Sequence, residues 1–206
     1  MNNGILFVGA NDMREIQNYV NKYNYGYFIE PIPETFEILK KNLEDCNKKY
    51  NTKYVALNYL ITNENDKEYD FNIYGQLKKK KGTQYGNNGA SSSIYKKNDK
   101  YFWQDCDCKK KIKLKSIRMN ELYNLYPDLI NINNLIIDVQ GAELEVLKSL
   151  DNKLNNFEYI KTEVSIKPHY HNGVLFPELN KFLNANNFYT NIIPSTHMDI
   201  EYRKKL

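Results

Sequence analysis

The chain has no apolar run approaching the ~18 residues that a membrane-spanning helix needs, and no secretory signal at its N-terminus. Cysteine is scarce. Cys46, Cys106 and Cys108 are an odd number and form no closed disulfide framework. No membrane span is therefore expected, and the expected location is a reducing cytosol, so the protein is read as cytoplasmic. Structural zinc is not favoured either, because Cys106-x-Cys108 and His169-x-His171 both lack the two-residue cysteine spacing of such sites. The sequence also lacks an internal repeat and an interdomain linker, so its 206 residues read as one domain, 1–206.

Charge of one sign is missing as well, since the formal net charge is only +4. The positive excess sits in Lys78 to Lys81 and in Lys109, Lys110, Lys111, Lys113 and Lys115. Such runs can meet phosphate, but lysines guarding a loop or an edge strand are the commoner case. Nucleic acid is admitted as a partner and not favoured. What is present is ordinary for a globular chain: 41% apolar and 26% charged residues.

The sequence is organised around Leu135 to Leu147. Leu135, Ile136 and Ile137 form a buried strand that stops at Asp138, Gly141 permits a tight turn, and Leu144, Leu147 and Leu150 recur at helical spacing. In an open α/β sheet the carboxyl ends of the strands face the ligand crevice, which makes Asp138 the leading catalytic candidate. The alternative is that Asp138 caps the following helix, whose first amides lack partners. Both readings stand at this point.

Upstream, Ile5 to Val8 is a strand followed by the small-residue turn Gly9-Ala10-Asn11-Asp12 and a helix through Ile16, Tyr19 and Val20. Tyr27 to Ile29 is a second strand ending at Glu30, about twenty residues after that turn, an offset at which a carboxylate accepts hydrogen bonds from ribose hydroxyls. Pro31 and Pro33 stop the strand and open a helix whose face is Phe36, Leu39, Leu43, Cys46 and Tyr50. Tyr54 to Asn58 and Tyr69 to Tyr74 read as strands, and residues 78–100 as a long loop that either closes over a substrate or is a loose hairpin. Ile112 to Ile117 reads as an edge strand, Asn120 to Tyr126 as a short helix, Tyr159 to Ser165 as the fifth core strand, Glu178 to Leu183 as a helix and Phe188 to Ile193 as the last strand. This alternation predicts an α/β fold with a mostly parallel sheet and helices on both faces.

Several stretches resemble the FkbM family of S-adenosylmethionine-dependent methyltransferases. They are Val8-Gly9-Ala10-Asn11, the Phe28 to Phe36 segment with Glu30-Pro31-Ile32-Pro33, the Ser91-Ser92-Ser93 triplet, Ser116 to Leu122, Asp138-Val139-Gln140-Gly141-Ala142-Glu143, and Glu163 to Tyr170 followed by Leu175-Phe176. The pattern departs from the family at Phe7, Met13 and Asn120, where an acidic residue, a glycine and an aspartate are usual. The resemblance implies a Rossmann-like class I methyltransferase fold, S-adenosylmethionine as cofactor, and O-methylation of a sugar hydroxyl in a glycan or nucleotide-sugar acceptor. It further implies that Gly9, Ala10 and Asn11 border the methionine moiety, that Glu30 grips the ribose, and that Pro31, Ile32 and Asn58 lie near the adenine. Asp138 is the first choice of base, with Glu163 and His169 behind it. These three could also hold a divalent metal, which is not favoured, because each has a structural alternative: a helix cap, a lysine partner and a loop hydrogen bond. His171 and His197 are read as surface residues. Two other readings remain, an RNA 2'-hydroxyl methyltransferase and a non-catalytic scaffold.

Overall fold

A computed structural model describes residues 3–76, 89–102 and 106–205; the Lys78 to Lys81 run and Asn87 and Asn88 lie outside the described residues. Period-two alternation builds the sheet. Strand β1 (Gly4–Val8) sends Ile5 and Phe7 to one face and Leu6 and Val8 to the other, and all four are buried. Strands β2 (Tyr25–Ile29) and β3 (Lys53–Leu57) continue the pattern, with Phe28 and Tyr54 on the first face and Ile29 and Leu57 on the second.

Between β2 and β3, helix α1 (Pro33–Tyr50) begins with proline at its start and Glu34 in its first turn, and ends on Asn51 in the left-handed conformation after Lys48 and Lys49. Proline lacks only an amide the helix would leave unpaired there, and the charges oppose the helix dipole. Leu39, Leu43 and Cys46 seat α1 on Ile5, Phe7 and Phe28. Burying such side chains contributes about 1.5–3 kcal/mol each.

A second sheet follows. Strands β4 (Leu60–Ile61), β5 (Glu68–Gln76) and β6 (Cys106–Ile117) pair in the order β4-β6-β5. Here the expected edge strand proves to be central, because Leu60 and Ile61 add in parallel to Ser116 and Ile117. Its lysines do point outward. Lys113 lies between Glu68 and Asp70 of β5, and Lys110 reaches Glu34.

Helix α2 (Met119–Leu125), strand β7 (Asn134–Ile137), helix α3 (Glu143–Ser149), strand β8 (Tyr159–Val164), helix α4 (Phe176–Ala185) and strands β9 (Phe188–Tyr189) and β10 (Met198–Lys204) complete the described chain. The main sheet runs β3-β2-β1-β7-β8-β10-β9, with β10 antiparallel to both neighbours. Helices α2, α3 and α4 cover the face opposite α1 through Leu122, Leu147 and Leu183.

Two further expectations fail. The helix after β1 is only a 3-10 turn at Ile16–Asn18, and it is preceded by Asn11 and Met13 with φ of 49° and 47°, values outside any right-handed helix. The last strand stops at Tyr189, and the C-terminal partner of β8 is instead β10, a strand not anticipated from sequence.

Candidate active site

Strand order reverses between β1 and β7, so a crevice opens beyond their carboxyl ends. The amide of Asp138 donates to the carbonyl of Val8 at 2.9 Å, and the amides of Gly9 and Ala10 donate to the carbonyl of Ile29 at 2.9 Å each. This knot brings the three strand ends together. Gly9 has φ of +87°, and a Cβ there would stand 1.8 Å from the carbonyl oxygen of Asp138, so only glycine fits.

The resulting cleft encloses about 540 Å³ of empty space, open solvent included. Gly9, Asn11, Glu30, Pro31, Ile32 and Asp138 line it, as do Leu60, Phe71 and Ile94 from the second sheet and its neighbouring segment. Two of the expected residues are not in its lining. Ala10 is buried in the core beneath. Asn58 is exposed and donates from its side-chain amide to the carbonyls of Glu30 and Pro31 at 2.7 and 3.2 Å, bracing the chain behind the cleft.

Glu30 is 5% exposed and accepts the amides of Asn11 and Ile32, both at 2.9 Å. Burial raises its pKa to about 7 against the opposing pull of those two amides. Each oxygen keeps a second lone pair for a ligand hydroxyl.

Segment 89–94 walls the cleft instead of hanging loose. Ser93 pairs through its backbone with Asn72 of β5, the Ser92 hydroxyl accepts the Tyr74 amide at 3.1 Å, and the Ser93 hydroxyl donates to the Gln140 carbonyl at 2.8 Å.

Asp138 does not cap α3. The N-terminus of α3 has no side-chain cap at all; Glu143 Oε1 instead accepts the amides of Val139 and Gly141, in the turn before the helix, at 3.3 and 3.0 Å. Gln140, which sequence reasoning left out of the site, takes a left-handed φ of 56° and inserts its amide between two carboxylates. Its Nε2 donates to Asp138 Oδ1 at 2.6 Å and to Glu163 Oε2 at 2.7 Å, while its Oε1 accepts the Tyr170 hydroxyl at 2.8 Å. Burial, then the Glu163 charge, pushes the Asp138 pKa well above the ordinary carboxylate range, although the Gln140 hydrogen bond works against it.

Glu30 and Asp138 therefore share one cleft, and Glu163 lies behind Gln140 in a second pocket with His169 and His197. Among the described residues the ion-pair partner of Glu163 is a histidine and not the expected lysine. His197, expected at the surface, is half-buried, and its Nε2 lies 2.7 Å from Glu163 Oε1. Burial opposes charge on His197, but the hydrogen bond and charge of Glu163 outweigh it and raise its pKa. His169, whose ring centroid is 4.9 Å from that of His197, is shifted down by burial and by that neighbour. His171 is exposed. Among the described residues no group of three or more His, Cys, Asp or Glu can hold a metal ion; Asp138, Glu163 and His169 do not form a shared ligand set, since the Gln140 amide stands between the first two. No helix among the described residues is long and apolar enough to cross a membrane.

No curated protein matches the chain. Solved structures do at low identity. TrmK of M. capricolum, in complex with S-adenosylhomocysteine, is 11% identical with a TM-score of 0.48, covering 98% of this chain and 62% of that one. An uncharacterized protein of Listeria monocytogenes serotype 4b is 10% identical with a TM-score of 0.50, covering 99% and 62%. Precorrin-6y C5,15-methyltransferase of Geobacter metallireducens is 11% identical with a TM-score of 0.48, covering 99% and 81%. The chain thus spans under two thirds of the length of the first two. At these identities the likenesses bear on the fold alone, and the α/β architecture with a mostly parallel sheet expected from sequence stands on the strand order itself. The methyltransferase FkbM domain model matches residues 8–189, nearly the whole chain, and on that match the protein belongs to the FkbM family of S-adenosylmethionine-dependent methyltransferases.

Proposed function

We propose that this chain is an O-methyltransferase acting on a sugar hydroxyl, with S-adenosylmethionine in the cleft between Gly9, Glu30 and Asp138. The cofactor fits the residues present: a tight glycine turn at the edge of the cleft, a buried carboxylate with unused lone pairs, and apolar walls at Ile32, Leu60, Phe71 and Ile94. When bound, it supplies a methyl group on a positively charged sulfur. The protein's own task is alignment, water exclusion and proton removal. Gly9 and Asn11 border the methionine end, Glu30 accepts from the ribose hydroxyls, and Pro31 and Ile32 flank the adenine with Asn58 bracing them. Ala10 supports the turn from below.

Asp138 is the proposed base. Burial and a neighbouring carboxylate make it more basic than an ordinary aspartate, and it lines the cofactor cleft directly. Glu163 and His169 act from the adjoining pocket. The convergence of Glu30 and Asp138 on one cleft is the observation that carries this reading. An RNA acceptor is less favoured, because Lys110 and Lys113 already meet carboxylates and the second pocket is lined by Glu143 and Glu163. A scaffold role is opposed by the left-handed backbone at Asn11 and Met13, which keeps the first turn despite the missing glycine.

The test is incubation with labelled S-adenosylmethionine and a panel of glycans and nucleotide sugars. Transfer of label to a sugar supports the reading. Calorimetry showing no cofactor binding at millimolar ligand removes it.

A further inference from the structure

Gln140 is 6% exposed and is fixed at its backbone carbonyl and at both ends of its side-chain amide. The carbonyl accepts the Ser93 hydroxyl at 2.8 Å, the side-chain oxygen accepts the Tyr170 hydroxyl at 2.8 Å, and the side-chain nitrogen donates to Asp138 Oδ1 at 2.6 Å and Glu163 Oε2 at 2.7 Å. We propose that Gln140 is a positioning residue for methyl transfer: its amide holds one oxygen of Asp138, ties it to Glu163 and so presents the other Asp138 oxygen to the cofactor cleft. The proposal rests on the reading of Asp138 as the base and says what sets that base in place.

Geometry comes first. The neighbours dictate how the amide is turned, because the reverse orientation would set an acceptor oxygen against two carboxylates. Both of its hydrogens are therefore committed, one to the residue that follows β7 and one to Glu163 near the end of β8. A carboxylate turns about a single bond, and a hydrogen bond to one oxygen stops that turn. Among the described residues no hydrogen bond engages Asp138 Oδ2, and Asp138 lines the cleft. One oxygen is thus left for a proton arriving from an acceptor, which a base must meet within hydrogen-bond reach. The backbone at Gln140 points the same way: a φ of 56° is rare for a residue with a Cβ, and such conformations gather where a side chain has to be aimed.

Charge acts at the same place. Bonded to one nitrogen, the two carboxylate oxygens lie within the ~4–6 Å over which one charge alters another's proton affinity. Burial favours the protonated form of Asp138, Glu163 on β8 adds to that, the Gln140 amide opposes it, and Glu143 on α3 and Asp199 on β10 add to it again. Tyr19 and Tyr170 are the phenols within reach of its charge. On the far side, His197 Nε2 lies 2.7 Å from the other Glu163 oxygen. The amide and the glutamate therefore act on Asp138 with opposite sign, which packing alone does not require.

The experiment uses the full chain with aspartate ¹³C-labelled at the side-chain carboxyl, saturated with S-adenosylhomocysteine, the Asp138 signal being identified by its loss in Asp138→Asn. Its titration is followed in the parent, in Gln140→Leu and in Glu163→Gln. Asp138 is expected to take up its proton at a pH higher by about 0.5 or more in Gln140→Leu and lower by about as much in Glu163→Gln, with S-adenosylhomocysteine affinity within about threefold of the parent in both. Turnover on a sugar that accepts label, measured at a pH where Asp138 is ionised in both proteins, should be about 10- to 100-fold lower in Gln140→Leu. Should Gln140→Leu not fold, Tyr170→Phe replaces it: this variant frees the oxygen end of the amide and should move titration and turnover in the same directions by less. An Asp138 titration unmoved by these substitutions, movement in one direction in Gln140→Leu and Glu163→Gln alike, or parental turnover without the Gln140 amide overturns the proposal and leaves the cofactor site standing. Parental turnover in Asp138→Asn, or no binding of S-adenosylhomocysteine, overturns the underlying reading, and this one with it.

Discussion

A primary amide carries two N–H bonds, and Gln140 directs its nitrogen at two carboxylates from different strands. Removing it leaves the two carboxylates facing each other with no donor between them. Gln140→Leu is expected to lower stability by roughly 1–3 kcal/mol in chemical denaturation, and Gln140→Glu to be more destabilising at pH 8 than at pH 5, because a third carboxylate ionises beside the others. Glu30 makes a different prediction. Its pKa of about 7 means that the proposed acceptor for the ribose is ionised above that pH and neutral below it. Cofactor affinity measured by calorimetry should fall as the pH drops from 8 to 6 in the parent, and Glu30→Gln should show no such slope. Glu30→Ala should weaken binding about 10- to 100-fold, the scale of a charge-assisted hydrogen bond. For Asp138→Asn the expectation is cofactor binding within a few-fold of the parent and a turnover drop of about 10² to 10⁴. A loss of cofactor affinity as large as the loss of turnover would instead make Asp138 a binding residue.

At the scale of elements, the first turn after β1 is the least tolerant place in the site. Gly9→Ala combines a positive φ with a contact of 1.8 Å to backbone, and should cost at least ~2 kcal/mol in stability and most of the cofactor affinity. That glycine was legible in sequence, as were the strands ending at Val8, Ile29, Ile137 and Val164, because continuous β-branched and aromatic runs announce buried parallel strands. Other elements were not. In Met198–Lys204 only Ile200 and Tyr202 are buried, between charged residues, and seven residues of that pattern read equally as a loop. Without β10 there was no route to His197. The two-residue strand Leu60–Ile61 is too short to be seen, so β6 looked like an edge. Gln140 was in view within its six-residue block, but a neutral side chain reveals its partners only when two strand ends are set side by side.

For the whole molecule, the buried carboxyls set how stability responds to pH. Glu30 and Glu143 have an ordinary value of 4.5 and reach about 7 when folded. Between those values the unfolded chain has released protons that the folded chain still holds, so stability is full below about 4.5 and is lost as the pH rises towards 7. Glu143→Gln removes one such group and keeps an oxygen for the Val139 and Gly141 amides. Relative to the parent, its stability should improve by roughly 3 kcal/mol between pH 4.5 and 7.5, a difference that urea titrations at the two pH values would measure. Equal midpoint differences at both would mean that Glu143 titrates normally in the fold.

The two cavities are also separate along the chain. Residues lining the cleft fall between Val8 and Ala142, and those lining the pocket behind it fall between Gly141 and His197. During synthesis the wall of the first cavity leaves the ribosome first, and the C-terminal third then builds the other chamber onto it, joined at the Gln140-Gly141 step. Substitutions after Ala142 can therefore reshape the second chamber without altering the wall of the first.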